Sequence, residues 1–279
     1  MLILSIGTFT LGVDGFVLSG LLPQVAASLH VSASTAGQLT TIFALVYAVG
    51  SPVIAAAAAA WDRRAAMWIL VVLALLASAA VWLLPPARAP RLSLRERGQA
   101  LADPRVLAIL ASTVTVLTPV FLVIAYLPAI MRTSGAWIVV AMLAYGAGQV
   151  TGNFVVPRLI RGRGARTALL YGACGITAVT AVLIASRTTD AAATATMAAL
   201  GFCAGLTIVP QQHRIFAAVP KLAPVAVGLN GSGIYIATAL GAAVGGAALA
   251  IGGSAAPAIT AAVIGLLAVI VATTAVRRA

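Results

Sequence analysis

Residues 136–186 read AWIVVAMLAYGAGQVTGNFVVPRLIRGRGARTALLYGACGITAVTAVLIAS, two apolar runs at 136–157 and 167–186 parted by a short segment that carries Arg158, Arg161, Arg163 and Arg166. A run of about 20 apolar residues, at about 1.5 Å rise per residue, matches the hydrocarbon thickness of a bilayer. Arginines gathered between two such runs mark a loop that stays on the cytoplasmic side. The same pattern recurs outward in both directions. Apolar runs fall at 2–22, 36–60, 65–84, 106–130, 136–157, 167–186, 191–210, 223–248 and 254–275, which predicts an all-α membrane protein of about nine transmembrane helices. Alternating apolar and polar segments of about 10 residues, which a membrane β-barrel requires, do not occur.

Composition agrees. Of 279 residues, 62% are hydrophobic and 8% charged, with mean hydropathy +1.11, which excludes a soluble globular domain and a disordered chain alike. The lipid bilayer is therefore the first partner. The net charge of +12 would suggest nucleic acid in a soluble protein, but here the cations cluster between apolar runs, where they orient the chain, so no nucleic-acid partner is expected. The two cysteines, Cys174 and Cys203, lie in separate apolar runs without a second Cys or a His at ligand spacing, so neither a disulfide framework, a metal site nor a cofactor is indicated. With no nucleophile pair, carboxylate pair or phosphate loop, the reading is not an enzyme. The first run has no basic stretch before it and contains Asp14, so it reads as a mature helix rather than a cleaved signal.

The longest polar stretch, 86–103, divides the chain into 1–85, 86–103 and 104–279. It holds Arg88, Arg91, Arg95 and Arg97. Ser93-Leu94-Arg95-Glu96 has capping-box spacing, so this linker reads either as a surface helix or as a basic loop. Alternating the loops of the last seven runs places thirteen cations on one side (Arg88, Arg91, Arg95, Arg97, Arg105, Arg158, Arg161, Arg163, Arg166, Arg214, Lys221, Arg277, Arg278) and only Arg132 and Arg187 on the other. The first side is cytoplasmic, and the C-terminus with it. The run at 65–84 then starts outside, directly after Asp62-Arg63-Arg64, which breaks the charge rule. Trp68 and Trp82, near its two ends, sit as interface anchors would, which favours spanning and an external N-terminus.

Several segments resemble the major facilitator superfamily, in particular bacterial drug:proton antiporters and arabinose-efflux permeases. Gly7 to Val17 with Asp14, followed by Leu21-Leu22-Pro23, is similar to the family's opening helix. Gly50-Ser51-Pro52 followed by Asp62-Arg63-Arg64 resembles the loop signature after its second helix. Pro210-Gln211-Gln212, Gly228 to Tyr235 and Gly241 to Gly246 resemble its tenth and eleventh helices. The resemblance implies a twelve-helix bundle in two halves of inverted three-helix repeats around a central cavity. Against that frame the chain reads as nine helices: an incomplete N-terminal half at 1–85 similar to helices one, two and six, and a six-helix C-terminal half at 104–279. The odd number of missing helices accounts for the charge conflict at Arg63-Arg64.

The resemblance implies transport: proton-coupled efflux of small amphipathic compounds or sugars across the inner (plasma) membrane, with the proton gradient in place of a cofactor. The other reading is a shortened, non-transporting membrane protein that packs with a full-length transporter or with a second copy. Asp14 is the one carboxylate inside a span and hence the proton-coupling candidate, its alternative a vestige near the outer interface. Gln149 and Asn153, four residues apart, share a helix face and are either interhelical hydrogen-bonding groups or cavity residues. Asn230, Ser232 and Tyr235 among glycines carry the same two readings, and Phe121 and Tyr126 are either cavity lining or core. Gly148 to Gly152 and Gly241 to Gly245 have the small-residue spacing of close helix contacts.

Overall fold

The computed structural model describes residues 102–131 and 136–278 and, ahead of them, Trp68, Val71, Val72 and Leu75. Asp14, Gly50, Asp62, Arg63 and Arg64, the apolar runs at 2–22 and 36–60, nearly all of that at 65–84, and the linker up to residue 101 lie outside the described residues. The chain divides into two compact units, Met1–Leu92 and Ser93–Ala279. In the first, Trp68, Val71, Val72 and Leu75 are helical and exposed.

Among the described residues there is no strand. The second unit contains α1 (Pro104–Met131), α2 (Ala136–Ser186), α3 (Asp190–Gly205), α4 (Ile208–Ala218), α5 (Ala223–Gly252) and α6 (Ala256–Arg278), with single 3-10 turns at Pro220–Leu222 and Gly253–Ala255. The span α2 is two helices that meet at Gly164 (φ +84°, ψ 158°), as the two apolar runs predict, but the first continues through the arginines where a loop is expected. The physical reason is local. Leu159, Ile160 and the arginines are ordinary helix formers, so helix persists through the basic segment until a residue takes a backbone conformation open mainly to glycine. Pro157 does not break it. The expected run 191–210 is likewise lengthened and split, because the backbone at Leu206 and Thr207 closes shorter turns onto Cys203 O and Ala204 O before α4 begins.

Contacts between named residues fix the direction of every pass. Gly148 and Gly152 on the first arm of α2 meet Ala198 and Phe202, and Gly205 meets Asn153, so residue numbers rise together and this arm is parallel to α3. Gly172 on the second arm meets Thr207, and Ser186 bonds Thr196 at 2.9 Å, so this arm is antiparallel to α3. Gly164 therefore makes a hairpin. α1 and α5 are parallel, since Gly233 lies beside Leu110, Gly241 beside Thr118 and Gly245 beside Tyr126. α6 runs against the second arm of α2, with Arg187 bonded to Ser254 and Gly265 against Thr177. Val106 and Ile109 pack on Ile215 and Val219, so α4 carries the course of α3 toward the start of α1. The six passes thus alternate, as short connections demand.

The main core is apolar and drawn from α1, α2, α3 and α6: Val116, Val120, Leu127 and Ile130 of α1, Ile176 and Leu183 of α2, Met197 and Leu200 of α3, and alanines of α6, while Ala226 and Val227 of α5 join a second cluster with Val106, Ile109 and Ile215. Large apolar side chains also face outward, among them Phe154, Val182, Ile251, Val263, Leu266 and Ile270. In water such a surface would aggregate; against lipid tails it is the expected exterior. Four helical stretches among the described residues are long and apolar enough to cross a membrane.

Alternation sorts the cations. Arg105, the Gly164 hairpin with Arg158, Arg161, Arg163 and Arg166, and α4 with Arg214 share one end of the bundle, while among the described residues Arg187 marks the other.

Candidate functional site

Buried polar groups inside an apolar bundle are costly unless they are paired, which makes them the place to search. One chain of them crosses three helices. The Thr113 hydroxyl on α1 donates to Asn230 Oδ1 on α5 at 2.6 Å and accepts from Gln211 Nε2 on α4 at 3.0 Å. Gln211 Nε2 also lies 3.3 Å from the Ile109 carbonyl, and Gln211 Oε1 accepts from the Arg214 guanidinium at 2.9 Å. Thr113, Gln211 and Asn230 are 3%, 1% and 2% exposed, so water cannot stand in for these partners.

Local sequence explains how the three meet. Asn230 sits among Gly228, Gly231 and Gly233, with Gly233 in ordinary contact with Val114 and Leu110, and the close approach of α5 to α1 lies further along at Gly241, against Leu122 N and Thr118 O. Gln211 is presented by the first turn of α4, which restarts after the interruption at Leu206–Thr207. There Thr207 Oγ1 donates to Ala204 O at 2.7 Å, which satisfies a carbonyl at the break. A small cavity of about 10 Å³ lies alongside, bordered by Thr113, Leu117, Leu169, Thr207, Ile208 and Gln211. It is too small for a drug-sized ligand. Interrupted helix backbone at membrane depth is tolerated where protein buries it or a cavity adjoins it, and both hold here.

The sequence candidates separate into three places. Asn230 belongs to the polar chain. Tyr126, on the same α1–α5 seam, donates to the Ala242 carbonyl at 2.7 Å, its ring seated against Gly245 and Gly246. It also stands at a kink in α1 (φ −112°, ψ 16°), two residues before Pro128, whose missing N–H leaves a carbonyl of the preceding turn free to tilt. Gln149 lies on the α2–α3 seam, where its backbone faces Gly201 and Gly205. Asn153, four residues on, reaches the same seam through its backbone N beside Gly205, and the residue is exposed. Tyr235 is 42% exposed on α5. Asp14 and the Gly50 to Arg64 signature lie outside the described residues.

Two members of the polar chain, Thr113 and Gln211, are not among the candidates drawn from sequence. Gln211 had a signal, since it stands in the Pro210-Gln211-Gln212 segment. Thr113 had none: Ser112, Thr113, Thr115 and Thr118 look alike in sequence, and most of their hydroxyls bond back to carbonyls of the same helix. Only packing singles out Thr113. Among the described residues no group of His, Cys, Asp and Glu could hold a metal ion.

Comparison with known proteins concerns the other end of the chain. Residues 4–88 match the family model of the Major Facilitator Superfamily. The chain is 46% identical over 65 residues to the Uncharacterized MFS-type transporter YbcL of Bacillus subtilis (strain 168), covering 23% of this chain and 17% of that protein. It is 40% identical over 65 residues to the Chloramphenicol resistance protein of Streptomyces lividans, again covering 23% of this chain and 17% of that protein. The matched segment thus spans about a sixth of the length of these relatives. Residues 4–88 are thus similar to the Major Facilitator Superfamily, and the passes that follow them are helical and of membrane-spanning length.

Proposed function

We propose that the chain is a multi-pass transporter of the plasma membrane that exports small amphipathic compounds in exchange for protons. The observation that carries this reading is the family match at residues 4–88, which contains Asp14, together with the likeness of the segment to a protein named for chloramphenicol resistance. An ionised carboxylate in hydrocarbon costs about 2.5–3.5 kcal/mol on insertion scales, so a carboxyl group there alternates readily between neutral and charged forms as its surroundings change. That is the property proton coupling requires. In the second unit, the Thr113–Gln211–Asn230 chain and Tyr126 on the α1–α5 seam are the polar groups proposed to face substrate, directly or after the passes move apart. Gln149, Asn153 and Tyr235 stand as further contacts. The gathering of arginines at one end of the bundle supports a cytoplasmic C-terminus.

The test is chloramphenicol accumulation in drug-sensitive cells that express the full chain, with and without an uncoupler, for the parent and Asp14→Asn. Lower accumulation than in empty-vector cells, abolished by the uncoupler and by Asp14→Asn at equal membrane content, is expected. Accumulation equal to the empty vector across a panel of amphipathic drugs would overturn export. The second reading, a shortened non-transporting protein that packs with a full-length transporter or another copy, draws support from Arg63 and Arg64, which the alternation of charge leaves on the wrong side.

A further inference from the structure

We propose that the hairpin at Gly164 is a docking surface for anionic phospholipid headgroups, with Arg163 and Tyr171 at its centre. Four arginines, Arg158, Arg161, Arg163 and Arg166, are all exposed within nine residues of α2, and the turn between them is made by Gly164 at φ +84°. A side chain added at Gly162 or Gly164 would have no atom within 4 Å of its Cβ, so the surface around the turn is open. The Arg163 guanidinium donates to the Tyr171 hydroxyl at 2.6 Å and lies over its ring, 5.6 Å from the centroid. This fixes one guanidinium, which carries further N–H donors besides the one given to Tyr171. Among the described residues the acids are Asp103 and Asp190; Asp103 accepts from the Arg105 backbone N–H, and Asp190 begins α3 at the opposite end of the bundle.

Depth selects the occupant. Immediately below the arginines the same helix exposes Phe154, which is 68% exposed, and Val150, apolar groups at home among acyl chains. Tyr171, 44% exposed on the returning arm, is an aromatic of the kind that sits at the membrane–water boundary. A surface that begins where the acyl chains end and presents several guanidinium forks matches a phosphodiester held at headgroup level. Guanidinium forks bind phosphate oxygens in pairs, and each cation near an anionic leaflet adds attraction on the order of fivefold in local lipid concentration. Orienting the chain needs only charge; holding Arg163 on Tyr171 at the interface gives the headgroup a defined seat.

The experiment uses the full chain in nanodiscs of equal phosphatidylcholine and phosphatidylglycerol. Lipids retained after release into the gas phase are counted by native mass spectrometry. Nanodiscs present both leaflets, so insertion orientation does not enter. The parent is expected to retain phosphatidylglycerol in excess. The combined Arg158→Gln, Arg161→Gln, Arg163→Gln and Arg166→Gln protein is expected to lose about tenfold or more of that excess. Tyr171→Phe, which frees Arg163 without changing charge, is expected to lose part of it. Equal retention of the two lipids by the parent, or an excess unchanged in the four-arginine variant, would overturn the proposal. If that variant does not fold, ionic strength serves instead: an excess insensitive to a rise from about 0.05 to about 0.5 M salt equally overturns it, because exposed charges are screened over that range.

Discussion

The α2–α3 seam offers a sharp test of the packing. At Gly201 an added Cβ would overlap the Tyr145 carbonyl oxygen, lie 2.7 Å from its carbonyl carbon and 3.0 Å from Gln149 N. All of these are backbone atoms of the facing helix, so no side chain can swing aside. Carbon atoms rest about 3.5–4.0 Å apart, so the helices would have to part by about 1 Å. That movement also loosens Gly148, Gly152 and Gly205, which share the seam. Overpacking of this kind costs about 1–3 kcal/mol, while replacing Gly by Ala in a helix returns up to about 1 kcal/mol. Gly201→Ala should therefore destabilise by about 1–2 kcal/mol. Gly162 is the matched control: it is helical, with no atom within 4 Å of an added Cβ, so Gly162→Ala keeps only the propensity gain. The two changes should move stability in opposite directions, parting by roughly 4–12 °C at about 2–4 °C per kcal/mol for a domain of this size. Thermal exposure of Cys203, half-buried where the second arm of α2 meets α3 at Gly172 and Gly175, supplies the readout in a Cys174→Ala background with a thiol-reactive fluorophore. A Gly201→Ala protein that melts at or above the parent, or shifts of one sign for both, would refute the close parallel approach of α2 and α3.

Thr113→Val leaves Asn230 Oδ1 without its 2.6 Å donor and Gln211 Nε2 without its hydroxyl acceptor, and should cost about 1–3 kcal/mol in the same assay. A double-mutant cycle with Asn230→Leu should recover part of that cost, and strict additivity would argue against the polar chain. Gly164→Ala places a side chain at φ +84°, ψ 158°, a region that is essentially glycine-only, and should destabilise the hairpin by about 1–3 kcal/mol, read as faster proteolysis near Arg163. In a background lacking both native cysteines, single cysteines at Gly162 and Ser254 should label from opposite faces of the membrane, with Ser254 the externally accessible one. Equal accessibility would contradict the alternation of the passes.

Much of the fold is written in spacing alone, because lipid imposes a length on any helix that crosses it. The runs expected at 106–130, 223–248 and 254–275 differ by only a few residues from Pro104–Met131, Ala223–Gly252 and Ala256–Arg278. The basic segment after Pro157 is where that reading falls short. Arginine is a good helix former, so polarity marks where membrane ends but not where helix ends, and Gly164 alone supplies the stop. The split at Leu206–Thr207 left even less trace, since Gly205-Leu206-Thr207-Ile208 is as apolar as its surroundings.

Candidate side chains were legible by kind rather than by partner. An Asn or Gln in an apolar run must find a hydrogen bond, so Asn230 and Gln149 stand out in sequence. Which face of the helix they occupy depends on how neighbouring passes rotate, and this separates buried Asn230 from exposed Asn153.

From the sequence by itself come the solvent, the helical class, the lengths of the apolar runs, the bias of positive charge and the family of residues 4–88. Each depends on composition or on order along the chain. Tertiary structure decided the rest: the hairpin at Gly164, the direction of each pass, the seam of glycines between α2 and α3, and the meeting of Thr113, Gln211 and Asn230 from positions about a hundred residues apart. Inside a bilayer the hydrophobic effect does not choose which apolar faces meet. Close packing and the satisfaction of buried polar groups do so, and both exist only once the helices are side by side.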